Sequence, residues 1–152
     1  MSAIVPTIIP QNGARIKIGA VAKHFKVSVD LLRLYEREGI LIPLKSPKGT
    51  RYFTEADYLW IGTILRLVRE ARLNFAGIRH LLALLPCYEI RHCGFEKKEN
   101  CQITKDSTAP CWNNKSCCSN AQECYTCAVY RSAPACQNLK ALLVASPVQA
   151  PN

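Results

Sequence analysis

Of the 152 residues, no run approaches the ~18 uninterrupted apolar positions that a membrane-spanning helix needs, so no bilayer span is expected. The stretch from Met1 to Pro10 is apolar, yet it has no basic flank and is cut by Pro6 and Pro10. A signal peptide is therefore not expected, and the reading places the protein in the cytoplasm. No Ser/His/Asp grouping, paired-carboxylate motif or phosphate-cradling glycine loop is visible, and the chain is short for an enzyme with a deep cleft. An enzyme is accordingly not expected. Acidic residues are scarce, 11 against 20 basic ones, and residues 1–14 carry no charge. Cysteine is missing from the first 86 residues.

What is present divides unevenly along the chain. Residues 15–85 hold 13 Lys and Arg against 6 Asp and Glu, a net charge of +7 of the total +9. A basic surface of that size suits a polyanion partner. All nine cysteines follow: Cys87, Cys93, Cys101, Cys111, Cys117, Cys118, Cys124, Cys127 and Cys136. Two compositions imply two modules with a seam near Leu85-Pro86-Cys87. The expected organisation is a loose arm over 1–14, a DNA-binding domain over 15–85, a cysteine-rich module over 86–137, and a short helix with a frayed tail over 138–152. The expected fold class is mainly α, with a small irregular cysteine-rich module behind a winged helix-turn-helix.

The first module reads as follows. Ile18, Val21, Ala22 and Phe25 recur at helical spacing and make one apolar stripe. Ser28 is placed to cap a second helix from Val29 to Arg37, which buries Leu31, Leu34 and Tyr35, and Gly39 ends it. The pair is a helix-turn-helix candidate. Apolar and aromatic residues flank the turn Lys45-Ser46-Pro47-Lys48-Gly49-Thr50 and predict a small hairpin, a wing tipped by Lys45, Lys48 and Arg51. Thr54 to Asp57 is a capping-box pattern opening a third helix with Ile61, Ile64, Leu65 and Val68 inward. Asn74 caps a fourth, with Phe75, Ile78, Leu82 and Leu85 inward, and Pro86 stops it. His24 and His80 read as surface or packing residues.

The runs Ile18-Gly19-Ala20-Val21-Ala22, Val27-Ser28-Val29, Leu32-Arg33-Leu34-Tyr35-Glu36, Gly39-Ile40-Leu41 and Gly49-Thr50-Arg51-Tyr52-Phe53 resemble the MerR family of bacterial transcription regulators, in order and in register. The resemblance implies that the helix from Ser28 to Arg37 enters the major groove. Its first turn offers Ser28, Val29 and Asp30, with Arg33 one turn later on the same face, suited to a bidentate guanine or phosphate contact. Tyr35 stands where the family has a phosphate-contacting tyrosine, and the alternative for it is a core aromatic. Arg51 occupies the family's wing-arginine position, whereas Lys45 and Lys48 are added on charge. Two departures stand out. Asp30 replaces a residue that is often basic, and Thr50 replaces the usual wing aromatic. The implied partners are double-stranded DNA, RNA polymerase and a second copy of the chain.

After residue 85 the resemblance fails. Family members continue into a long pairing helix, but Pro86 breaks this chain and residues 87–136 carry no sustained heptad. Cys87-Tyr88-Glu89, Cys93-Gly94 and Cys101 resemble the Cys-Trp-Glu…Cys-Gly…Cys unit appended to some bacterial sensor proteins. They are loosely echoed by Cys111-Trp112, Cys117-Cys118, Cys124 and Cys127. A ring beside a cysteine can shield a metal site or anchor a small core. Candidate ligands are Cys87, Cys93, Cys101, Cys111, Cys117, Cys124, Cys127 and Cys136, with His92 the nearby imidazole and Cys118 a packed small residue. Only Cys124-x2-Cys127 has zinc-knuckle spacing. Wide, all-thiolate spacing points first to an iron–sulfur cluster, then to structural zinc, then to unligated or redox-paired thiols. Cys124-Tyr125-Thr126-Cys127 also has the spacing of an exchange dithiol, without the βαβ setting of that chemistry. The leading expectation is a DNA-binding regulator whose cysteine module senses redox state, a gas or a metal. The alternative is a nucleoid or recombination-type winged helix stapled by zinc.

Overall fold

The apolar stripe of the first helix drives the start of the fold. α1 (Ile18–Phe25) buries Val21 and Ala22, and Lys26 closes it in the left-handed conformation at φ 55°. α2 (Val29–Arg37) begins at Ser28, whose Oγ accepts the Leu31 N–H at 3.1 Å. The residues that α2 buries are Leu32 and Tyr35. Leu31 and Leu34 are only half-buried, so the inward face is rotated by one position from the sequence expectation. Gly39 ends the turn after α2 at φ 74°, as expected.

The structure is a computed structural model that describes residues 14–90, 101, 108–113 and 124–138. The expected arm over 1–14 and tail over 138–152 lie almost wholly outside the described residues, as do Cys93, Cys117, Cys118 and His92. Described residues are mainly helical, with one small sheet. None of the described helices is long and apolar enough to cross a membrane.

The expected hairpin is present as β2 (Leu44–Lys45) and β3 (Arg51–Phe53), paired antiparallel with Lys45 opposite Arg51. Its turn is fastened at both ends. Ser46 N–H bonds the Thr50 carbonyl, Gly49 N–H bonds the Ser46 carbonyl, and Ser46 Oγ accepts from Thr50 N–H. Gly49 sits at φ 84°. A strand absent from the sequence reading, β1 (Ile16–Lys17), adds to the other side of β3 with Ile16 opposite Phe53, giving the order β1-β3-β2. Two residues are too short for a period-2 signal; only the pairing reveals them.

α3 (Glu55–Arg69) opens with the expected capping box, in which Thr54 N–H bonds Asp57 Oδ2 at 2.8 Å. Trp60, Ile61, Ile64, Leu65 and Leu67 are its buried apolar spine, and Val68 is half-buried. α4 (Phe75–Ala83) starts at Asn74, whose side chain accepts from Gly77 N–H at 2.7 Å. Arg79 of α4 reaches both the Glu38 carboxylate at 2.8 Å and the Glu38 carbonyl at 3.0 Å, which holds the end of α2 in place.

A short α5 (Cys87–Ile90) follows Pro86. Further on, a 3-10 turn (Cys111–Asn113), α6 (Ala128–Arg131) and a second 3-10 turn (Ala133–Asn138) return to the winged unit. Trp112, Tyr125, Val129, Tyr130, Ala133 and Cys136 join Tyr35, Ile40, Trp60, Ile64 and Leu82 in one buried cluster. Arg66 of α3 also donates to Gln137 at 2.6 Å. The seam expected at 85–87 is thus bridged by a shared core.

Candidate nucleic-acid interface

α2 and the β2–β3 hairpin are joined by one carboxylate. Glu36, on the last turn of α2, accepts from Lys45 Nζ at 2.6 Å and from Arg51 Nε through its second oxygen. Burial alone would push the Glu36 carboxyl up. Hydrogen bonds from Arg51 and Lys45, together with their charges, outweigh it and hold the carboxyl below its usual value. The sequence offered a signal for this clamp: an acid on α2 beside a hairpin carrying two cations. Glu36 was nonetheless not among the candidate site residues.

The candidates fall into three environments. Arg33 and Lys48 are exposed, and among the described residues the Arg33 guanidinium has a loose surface pairing with Asp30, at 3.6 Å, that a ligand can displace. Ser28 is exposed but its hydroxyl caps α2, and Val29 is half-buried against the core. Lys45 is exposed and Arg51 half-buried, and each has further N–H donors beyond the one bonded to Glu36. Tyr35 is 1% exposed and packs edge-on against Phe75 at 5.8 Å between centroids, the core-aromatic environment. Burial raises its pKa, with Arg69 opposing. His24 sits in a ring cluster with Phe25 and Tyr58, and His80 is exposed on α4.

Among the described residues, no three of His, Cys, Asp and Glu come together to hold a metal. Cys87, Cys111, Cys124 and Cys127 are half-buried against the core, and Cys101 is half-buried. Cys136 is buried and its thiol is pushed up to about 11 by that burial, the environment of a packed apolar residue. Trp112 and Tyr125, each beside a cysteine, bond to the winged unit. Trp112 donates its indole N–H to the Gly39 carbonyl at 2.7 Å. Tyr125 donates to Asp57 Oδ2 at 2.7 Å, and Arg131 donates to Asp57 Oδ1 at 3.0 Å while its guanidinium lies 4.2 Å from the Tyr125 ring centre. These partners lie about 70 positions from Asp57 and leave no local pattern to read.

An exposed arginine on a capped helix, a basic-tipped hairpin beside it and a carboxylate fixing their relation are what a duplex needs to be read in the groove and held at the backbone. The family model for MerR HTH family regulatory proteins matches residues 16–85, just under half of the chain. No curated protein and no solved structure matches the chain. The matched span runs from β1 through the end of α4, so the winged unit is similar to the helix-turn-helix regulatory domain of the MerR family.

Proposed function

We propose that the protein is a transcription regulator that reads duplex DNA with α2 and grips its backbone with the wing. The observation that carries this is the pairing of exposed Arg33 and exposed Lys48 on two elements clamped through Glu36. Arg33 makes the base-edge contact and Lys48 a phosphate contact, with Ser28, Val29, Lys45 and Arg51 lining the same surface. Arg33→Ala weakens operator binding by about 1–3 kcal/mol and relaxes base preference, whereas Lys48→Ala weakens all sequences alike. Binding is measured at one fixed salt concentration on duplexes selected from a random pool. Unchanged affinity and selectivity in Arg33→Ala overturn the assignment. A second copy of the chain and RNA polymerase are the partners this reading implies.

The cysteine-rich region gives the second part of the proposal, a bound iron–sulfur cluster or a metal that reports redox state, a gas or the metal itself. The six described cysteines do not form a ligand set by themselves, and Cys136 sits in a core environment. A set would draw on Cys87, Cys101, Cys111, Cys124 and Cys127 together with Cys93 or Cys117. A cluster would supply a charge that changes with redox state. The packing of Trp112, Tyr130 and Cys136 into the shared core favours the other reading, zinc as a staple in a structural DNA-binding protein. Anaerobic purification with iron, zinc and sulfide analysis separates them: a cluster protein is brown and contains sulfide, and a zinc protein is colourless.

A further inference from the structure

The joint between recognition helix and wing is residues 39–42, and its backbone is held from outside the matched segment. Trp112 Nε1 donates to the Gly39 carbonyl at 2.7 Å. Ile42 N–H donates to the Tyr130 hydroxyl at 2.8 Å, and that hydroxyl faces the Ile42 carbonyl at 3.4 Å. Between them the Ile40 carbonyl takes the indole N–H of Trp60 at 2.7 Å. Among the described residues, two of the three side chains bonded to the backbone of 39–42 therefore belong to residues 111–130.

Those two side chains are themselves held. The Trp112 and Tyr130 rings meet edge to face, with centroids 5.2 Å apart and planes at 88°. Next to Tyr130, Arg131 is bound to the fully buried Asp57, just behind the wing strand β3. Arg131, with its guanidinium 5.0 Å from the Tyr130 ring centre, thus ties the foot of the wing to the side chain that holds the joint. The angle at the joint decides whether Arg33 in a groove and Lys48 on a phosphate engage one duplex together.

We infer that Trp112 and Tyr130 are positioning residues of the DNA interface, acting through the backbone of Gly39 and Ile42. The inference rests on the DNA-binding reading above and extends its machinery beyond residue 85. Had the two rings only filled the core, removing their polar atoms would alter stability and leave the pattern of DNA contacts alone. As positioning residues, they alter the contacts themselves.

The test uses the full chain and a fluorescein-labelled pool of random-sequence duplexes. Tyr130→Phe and Trp112→Phe keep an aromatic ring and remove the polar atom; should one fail to fold, the other carries the test. Asn74→Ala, which removes the α4 cap but none of the hydrogen bonds to Gly39, Ile40 and Ile42, serves as the destabilised control. Each ring variant is expected to bind on the order of tenfold more weakly than the parent, the loss of about one charge-assisted contact. The slope of log affinity against log salt should flatten by about one phosphate contact, and Lys48→Ala added to Tyr130→Phe should cost nothing further. The control should keep the parent slope and the full Lys48→Ala effect. Parent-like slopes with an undiminished Lys48→Ala effect in both ring variants overturn the inference while the DNA reading stands. Absence of duplex binding by the parent overturns the DNA reading instead.

Discussion

Asp57 does two jobs with one carboxylate. It closes the capping box of α3 with Thr54 N–H, and it receives Tyr125 and Arg131 from the other end of the chain. It is 0% exposed, so none of these partners can be replaced by water in place. Asp57→Ala leaves Arg131 with neither amino group bonded among the described residues, where Nη2 is already buried without a partner. Arg131 is partly exposed, which moderates the loss; about 3 kcal/mol is expected, read as a lower urea midpoint at unchanged slope. Glu36 predicts a pH effect. Its carboxyl lies below the ordinary 4.5 in the folded protein, so its stabilising contribution is present above that value and is lost as pH falls through the lower folded value. Glu36→Gln should cost about 1 kcal/mol at neutral pH, the bonded cations being partly exposed, and the gap to the parent should close in acid. A gap that stays constant with pH contradicts the clamp.

At the scale of elements, Gly39 is the residue whose replacement is most revealing. It holds φ 74°, and a Cβ there would lie 2.6 Å from the Asn113 side-chain amide. Asn113 is exposed and can swing aside, so backbone strain dominates, about 1–2 kcal/mol for Gly39→Ala. Differential scanning calorimetry should show that loss, and Asn113→Ala in the same chain should recover only a small part of it. The elements themselves were legible where chemistry is local. Ser28, Thr54 and Asn74 announced three helix starts, and the Pro/Gly turn announced the wing. The inward register of α2 was not legible, because Leu31, Leu32 and Leu34 are equally apolar and only packing selects Leu32. Arg33, Lys45 and Lys48 were legible as surface cations, but Glu36 meets Lys45 and Arg51 only once the hairpin folds back onto α2.

For the whole molecule, the division of charge and cysteine along the sequence marked two compositions, while the fold gives them one core. Nothing local in Trp112 or Tyr130 announces contacts 73 and 88 positions away, so composition alone divides 86–137 from the winged unit as a module of its own. Burying a large aromatic side chain is worth about 3–5 kcal/mol by truncation, so the two rings together rival the net stability of a small domain. A chain ending at Leu85 should therefore lose its cooperative thermal transition and bind a hydrophobic dye. A sharp transition in that fragment, close to the parent's, would show that residues 16–85 need no support.

The chain contains two tryptophans, Trp60 and Trp112, and their indoles bond adjacent carbonyls of the same joint, Ile40 and Gly39. Intrinsic fluorescence excited at the indole band therefore samples a single place in the molecule. Any loosening of the angle between recognition helix and wing would let water reach both indoles and shift their emission to the red, without a label and before global unfolding. The protein carries its own optical gauge at the hinge of its reading head.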